Sequence, residues 1–210
     1  MTLMELILRV ITLFCFLFVG TFPELLMAAD GEARFKQCSS CHGEHAEGRK
    51  SLAAPSIAGL PAWYILNQLK KYKDGVRGKH PEDAAGMRMR PMATTVQDEY
   101  LQELANYISG LKSVKSPSSF KGNTKKGQQL YGACVSCHGA SGEGNQAMKA
   151  PPLIGTPDWY LFTQLNNFKK GIRGANPAKD PSGAMMAPMA GMLADDQAIR
   201  DVVSYIQTLK

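Results

Sequence analysis

The chain of 210 residues is predicted to be all-α and to consist of two tandem halves that share one fold. Two observations support this prediction. Identical residues recur at a separation of about 96 positions, and segments of both halves place apolar side chains at helical spacing. No segment has a convincing alternation of apolar and polar residues of the kind that predicts a strand. We therefore expect two small helical domains.

The internal repeat extends over most of the chain. An offset of 96 separates Cys38 from Cys134. The same offset pairs these residues with identical ones: Pro55, Gly59, Pro61, Trp63, Tyr64, Gln68, Leu69, Gly75, Arg77 and Gly78. The offset rises to 97 at residues 91–93 and to 98 at residues 107–108, so single residues have been inserted. This pattern indicates a tandem duplication.

The N-terminus, residues 1–29, is predicted to be a secretory signal peptide. Arg9 precedes the apolar run 10–20, and Ala28-Ala29 offers a small-residue cleavage site before Asp30. The run is shorter than the ~20 residues of a spanning helix, which favours cleavage over the alternative of an uncleaved membrane anchor. Either outcome predicts export, with a periplasmic location or a membrane-associated one.

A short polar segment is predicted to link the two halves. Residues 115–119 contain three Ser and one Pro, a composition typical of linkers. This places the domains at 30–114 and 120–210. Domains of this size bury little apolar surface and are marginally stable without an additional staple such as a cofactor.

Three helices are expected in each half. Their predicted ranges are 31–39, 61–73 and 98–111 in the first half, and 124–135, 157–168 and 195–209 in the second. The second helix should place Trp63, Leu66, Leu69 and Tyr72 on one apolar stripe. In the last helix of the first half, Leu101, Leu104, Ala105 and Ile108 have the spacing of a buried helix face.

The cysteines indicate the chemistry. Cys15 lies in the targeting segment, and the other four form the pairs Cys38/Cys41 and Cys134/Cys137. His42 and His138 follow these pairs directly, which gives CxxCH twice, the attachment motif of c-type haem. Spacing of three residues puts both thiols on one side of a helical turn, where they add to the two porphyrin vinyl groups, and the His then ligates the iron.

Three other interpretations of the cysteine pairs exist: a zinc site, redox-active dithiols, or structural disulfides. None of them explains a His directly after both pairs. We therefore predict two covalently bound haem c groups.

A ligand that is needed twice should occur in both halves. His45 and His80 align with Ser141 and Asn176, so both are expected at the surface. Two pairs of methionines occupy equivalent positions in both halves. They are Met89 with Met186, and Met92 with Met189. A thioether opposite His favours ferrous iron, although Met also commonly fills haem pockets without ligating. Met87 and Met148 have no counterpart and are expected to be packing or surface residues.

These motifs resemble those of class I cytochromes c, and specifically the dihaem cytochrome c4 family. The resemblance covers the whole chain after the targeting segment. It rests in each half on CxxCH, on the segments 55–59 and 151–155, on the QL…GxRG helix, and on a predicted turn of sequence MxPMA before the last helix. It implies two class I cytochrome c-like domains, each wrapped around one covalent haem.

The resemblance also implies particular roles for residues. In similar cytochromes the axial Met lies seven residues before the apolar residue that leads into the last helix, which selects Met89 and Met186 and leaves Met92 and Met189 as alternatives. The carbonyls of Pro55 and Pro151 are expected to accept a hydrogen bond from the proximal His. Arg77 and Arg173 are similar to positions near a haem propionate or at a domain interface, and a surface or helix-end role is the alternative.

The expected function is single-electron transfer between respiratory partners such as a terminal oxidase, a quinol-oxidising complex or a dehydrogenase. An iron with His and Met ligands has no open position for a substrate. The alternatives are a dihaem enzyme that oxidises thiosulfate or reduces peroxide, and a fixed subunit of a larger respiratory complex. The net charge of +6 predicts steering toward an acidic protein or an anionic membrane surface, unless the surface is merely basic. We see no nucleic-acid-binding motif.

Overall fold

The computed structural model describes residues 22–209, and within them the chain is helical with no strand. The helices of the first half are α1 (Phe22–His42), α2 (Ala62–Lys73), α3 (Ala84–Thr94) and α4 (Leu101–Gly110). Those of the second half are α5 (Thr124–Tyr131), α6 (Val135–His138), α7 (Asp158–Lys169), α8 (Pro181–Gly191) and α9 (Asp196–Ile206). Isolated bridges at Arg49–Ala54 and Asn145–Ala150 occupy equivalent positions. The all-α prediction is confirmed.

The first and last helices of each half cross closely, α1 over α4 and α5 over α9. A glycine lies at each crossing. A Cβ added to Gly31 would lie 2.6 Å from the Cβ of Tyr107, and one added to Gly127 would lie 2.0 Å from the backbone oxygen of Asp201. The backbones therefore approach as they do because neither position has a side chain.

An aromatic pair reinforces the same crossing in both halves. The rings of Phe35 and Tyr107 lie 5.6 Å apart, and those of Tyr131 and Tyr205 lie 5.4 Å apart. Such tilted pairs stabilise the packing beyond the apolar area that they bury. Because the pairs are equivalent, the duplication preserves the packing of the crossing as well as the sequence motifs.

Each half has its own apolar core. In the first half, the predicted buried face of α4 is confirmed, because Leu101, Leu104, Ala105 and Ile108 are all buried. The stripe predicted on α2 is partly wrong. Leu69 and Tyr72 are buried as expected, but Ile65 takes the place of Trp63 and Leu66. Trp63 and Leu66 are only half-buried. Leu66 still packs against the edge of the core, whereas Trp63 lines a cavity.

Several helix boundaries differ from the sequence prediction, and the two largest differences lie in the first helix of each half. Helix α1 begins at Phe22, not at residue 31, so it runs through the predicted cleavage site. The expected helix 124–135 ends at Tyr131, and the chain re-enters a helix only at Val135. Gly132 follows Tyr131, and a glycine weakens helix propagation there. Residues 1–21, which include the apolar run 10–20, lie outside the described residues.

Helices α3 and α8 replace the turns that were expected around the two methionine pairs. Asp83 and Asp180 cap these helices, accepting hydrogen bonds of 3.0 and 2.9 Å from the backbone N–H of Gly86 and Gly183. Capping and the Ala- and Met-rich sequence outweigh the interior Pro of each helix, at the places where a turn was expected.

The segment between the halves is tied to α7 through one carboxylate. Asp158, which is buried, accepts hydrogen bonds from the Ser118 hydroxyl at 3.0 Å and from the backbone N–H groups of Ser119 and Phe120. Part of the predicted linker is therefore docked. Among residues 22–209, no helix has both the length and the apolar character needed to cross a bilayer.

Candidate haem sites

The two CxxCH motifs lie at equivalent places. Cys38, Cys41 and His42 occupy the C-terminal end of α1, whereas Cys137 and His138 lie in the short helix α6, which follows Cys134. Residues three positions apart lie on the same side of a helical turn, so the two Cys of each motif lie on one side. The fold therefore presents both thiols and the His of each motif as one local unit.

Both His side chains are held by a backbone carbonyl from a distant loop. The Nδ1 atom of His42 lies 2.9 Å from the carbonyl oxygen of Pro55, and that of His138 lies 2.8 Å from the carbonyl oxygen of Pro151. A carbonyl only accepts, so Nδ1 must carry the proton and Nε2 keeps its lone pair. The expected pairing with the Pro carbonyls is confirmed.

Burial keeps these imidazoles neutral. His42 and His138 are both buried, and burial lowers the pKa of each ring below its ordinary value, although the hydrogen bond to the Pro carbonyl opposes the shift. A neutral imidazole with a free Nε2 and a fixed Nδ1–H is the form that ligates a metal. Both rings therefore have the protonation state of an axial iron ligand.

The first thiol of each motif is protonated near neutral pH. Burial raises the pKa of Cys38 to about 11, with a smaller contribution from Cys41, and burial also raises the pKa of Cys134. Redox-active dithiols instead have a lowered thiol pKa. None of the four cysteines of the two motifs is in a disulfide. Within residues 22–209, no three His, Cys, Asp or Glu side chains converge on a possible metal position.

The methionine pairs lie on α3 and α8 and face a common cavity. Met89 is half-buried and packs against the core of the first half, whereas Met92 is 38% exposed. Met186 and Met189 are both half-buried, so burial does not separate them. Met87 and Met148 are exposed at 48% and 44%, as expected for residues without a counterpart.

His45 and His80 are exposed, in agreement with the surface positions expected for them. Neither residue lines the cavity that contains His42 and His138. The imidazoles that the repeat left unpaired are therefore separate from the candidate sites.

One cavity of about 780 Å³ connects the two halves. Its walls include Cys38, Cys41, His42, Cys134 and His138 together with all four paired methionines. Most of the remaining wall is apolar, with side chains such as Leu69, Leu104, Leu161 and Phe168. A largely apolar cavity with thiols, neutral imidazoles and thioethers on its walls fits two haem groups, since each iron prefers such ligands and the porphyrin prefers an apolar surrounding.

Two buried arginines meet where the halves join. Arg77 and Arg173 are 4% and 6% exposed, and both line the cavity. Arg77 donates to Gln68 at 2.7 Å in its own half and to Gln164 at 3.3 Å in the other. Arg173 donates to Gln164 at 2.6 Å and to Gln68 at 3.4 Å. Among the roles left open for these arginines, the interface position is therefore confirmed, and the surface role is wrong.

The described residues offer the two buried arginines no anionic partner. Each guanidinium has an Nε atom that is buried without a hydrogen-bond acceptor, and neither forms an ion pair within the described residues. Two buried positive charges on one cavity wall are costly unless an anion lies beside them. Haem propionates are anions that would enter this cavity, so the arginine pair fits the same cofactor.

Sequence reasoning missed a second polar contact between the halves. Lys71 of α2 donates to the carboxylate of Asp180 at 2.6 Å and to the hydroxyl of Ser182 at 2.9 Å. Lys71 aligns with Asn167, so the repeat gave no reason to single it out. The only available signal was that a Lys occupies an interface position where its counterpart is uncharged.

The fold and the two sites together define a dihaem c-type cytochrome with helical domains. The chain matches the family described as Cytochrome c twice, over residues 28–112 and 124–210. It belongs to this cytochrome c family, as a dihaem class I member of the cytochrome c4 type. It carries two covalently bound haem c groups and functions in electron transfer.

Known relatives are similar over most of their length. Cytochrome c4 of Azotobacter vinelandii is 29% identical, with 87% of this chain and 89% of the relative aligned. The thiosulfate dehydrogenase electron acceptor of Stutzerimonas stutzeri (strain A1501) is 28% identical, with 85% of each aligned. The structure of reduced cytochrome c4 from Pseudomonas stutzeri superposes with a TM-score of 0.70 at 27% identity, covering 87% of this chain and 98% of that one.

Proposed function

We propose that this chain is an exported carrier of single electrons whose two irons each have one His and one Met ligand. The cysteines that would form thioethers to haem are Cys38, Cys41, Cys134 and Cys137. The proposed axial ligands are His42 and Met89 in the first half and His138 and Met186 in the second. The observation that supports this proposal most strongly is the fixed, neutral imidazole of each motif beside the shared cavity.

The choice between the methionines of a pair rests on burial in the first half. Met89 packs against the apolar core, and a ligand must be held near the iron with few alternative rotamers. Met92 is the more exposed residue of the pair. The equivalence of the two halves extends this assignment to Met186.

An electron carrier is favoured over an enzyme because both halves offer the same ligand set. A six-coordinate iron with His and Met ligands leaves no position for a substrate, whereas an enzyme of this kind needs one labile ligand. The matching His, Pro carbonyl and Met residues of the two halves give no sign of such an asymmetry in ligation.

The proposed partners are redox proteins outside the cytoplasm. The basic net charge supports an acidic docking surface on the partner. One relative is named as the electron acceptor of thiosulfate dehydrogenase, which supports a dehydrogenase as a donor. The proposed signal peptide, residues 1–29, would deliver the chain to the periplasm.

The test is an absorption spectrum of the purified holoprotein, oxidised and reduced, with haem quantified per chain. We expect two haems, a weak red-edge band of ferric iron bound to Met sulfur at full strength for both, and no binding of carbon monoxide. Half of that band, or one carbon monoxide-sensitive iron, would contradict the carrier proposal and favour an enzyme.

A further inference from the structure

The ion pair between Lys71 and Asp180 occurs on only one side of the interface. Its side chains are 11% and 2% exposed, so water screens it little. Asp180 is also the N-cap of α8, the helix that carries Met186. The Lys71 ammonium of the first half therefore lies against the Asp180 carboxylate, next to the helix that carries the methionines of the second half.

At the equivalent site of the other half, no lysine or arginine of the described residues lies within ion-pair distance of the carboxylate. Asp83 caps α3, which carries Met89, and it is 5% exposed. Asn167 stands where Lys71 would be, and Ala85 stands where Ser182 would be. Among the described residues, Asp83 forms no ion pair. Two equivalent buried carboxylates thus differ in that one is neutralised by a neighbour and the other is not.

Asp83 lines the cavity that fits the haems, and Asp180 is hydrogen-bonded to Lys71, which lines it as well. Ser182 also lines this cavity. A nearby negative charge stabilises ferric over ferrous iron, and a neighbouring positive charge cancels this effect. Each Asp caps the helix that carries the methionines of its own half, so its charge would act mainly on the haem that those methionines face.

We propose that the ammonium of Lys71 neutralises the carboxylate of Asp180 and thereby raises the reduction potential of the second haem relative to the first. This inference rests on the two haems and goes beyond the electron-carrier function, because it assigns a cause of inequality between halves with the same ligands. It makes the duplicated halves electrostatically distinct through one residue that the repeat does not conserve.

The test compares two variants that break the same ion pair but leave opposite charges. Lys71→Asn leaves an unpaired carboxylate, so the potential of the second haem should fall relative to the first. Asp180→Asn leaves an unpaired ammonium, so the same potential should rise. A single buried charge should change the electron equilibrium between the two haems by about tenfold in either variant. The potentials are measured by redox titration of the holoprotein, with haem resonances assigned to each half by NMR.

A third variant builds the missing ion pair. Asn167→Lys places an ammonium at the position equivalent to Lys71, and the potential of the first haem should rise relative to the second. Lys71→Arg is the control that keeps the charge and should leave the difference unchanged. This variant set also separates the proposal from the ligand assignment, because the spectrum of bound Met should persist in all four proteins.

Shifts of the same sign in Lys71→Asn and Asp180→Asn would overturn the proposal, since a merely structural contact would act in one direction. Equal shifts of both haems in either variant would overturn it as well. If the two variants that break the ion pair fail to fold, Asn167→Lys decides the question alone, because it retains the natural ion pair. No shift of the first haem in that variant would then refute the inference.

Discussion

At the scale of single residues, the two halves use the same few atoms for the same purpose. The Nδ1 of each proximal His lies against a Pro carbonyl thirteen residues further along the chain. This contact selects the tautomer that leaves Nε2 free, and burial keeps the ring uncharged. The loop after each motif, and not the CxxCH residues alone, therefore fixes the orientation and tautomer of the proximal His.

Replacement of the methionines should separate ligation from packing. Met89→Ala should lower the potential of the first haem and allow carbon monoxide to bind, because it removes the proposed neutral thioether ligand. Redox titration and carbon monoxide difference spectra are the measurements. Met92→Ala is the matched control and should do neither. The opposite pattern would transfer the assignment to Met92.

At the scale of helices, the crossings of first and last helices determine how each half is closed. Gly31 and Gly127 permit a backbone approach that no other residue would allow without a shift. The equivalent aromatic pairs then fill the space beside them. The two crossings position α1 and the α5–α6 region, and through them the cysteine motifs.

A methyl group at the second crossing should be strongly destabilising. In Gly127→Ala the new Cβ would overlap the backbone of Asp201, so the helices must separate, at a cost of about 1–3 kcal/mol in unfolding free energy. Gly110→Ala is the control, since a Cβ there meets no atom within 4 Å. Chemical denaturation of both holoproteins measures the effect. Equal stabilities would show that the crossing adapts without loss.

The docking of the linker on α7 should depend on pH. Burial by itself would raise the pKa of Asp158, but hydrogen bonds from Ser119, Ser118 and Trp159 outweigh it and hold the pKa below its ordinary value. A folded-state pKa below the unfolded value of about 3.9 means that the stabilisation is complete above that pH. It is lost as the pH falls through the lower, folded-state pKa.

The Asp158→Asn variant tests this dependence. Above about pH 5 it should be less stable than the natural protein by on the order of 1 kcal/mol, because an amide accepts these hydrogen bonds more weakly than a carboxylate. The difference should shrink as the pH falls below about 4. Unfolding free energies measured from pH 3 to pH 7 give the curve. A difference that is constant over this range would contradict the role of the carboxylate charge.

At the scale of the whole molecule, the halves are joined by a polar network beside an apolar cavity. Gln68 and Gln164 each accept a hydrogen bond from both buried arginines, so each amide is shared between the halves. The guanidiniums also lie over aromatic rings of their own halves, Arg77 over Tyr72 and Arg173 over Phe168. The relative position of the two haem sites therefore depends on charged groups with few alternative partners.

Removal of one shared amide should destabilise the junction. Gln164→Ala deprives both guanidiniums of an acceptor in a buried place, which should lower the unfolding free energy by about 1.5–3 kcal/mol. Gln102→Ala, at an exposed position of α4, is the control. Thermal unfolding of the holoproteins is the measurement. A melting temperature equal to that of the control would mean that water or the cofactor replaces the amide.

The amino-acid sequence by itself determined the duplication, the all-α class, the two haem motifs and the buried face of α4. These features follow from local spacing, because CxxCH and the helical period each involve residues within a few positions of one another. The sequence also limited the possible axial methionines to two pairs.

Only the tertiary structure decided how the halves meet and how they differ. The Lys71–Asp180 pair joins residues 109 positions apart, and the Arg77–Gln164 contact joins residues 87 apart. Contacts between distant residues depend on how the two domains pack, and no periodicity along the chain encodes that packing.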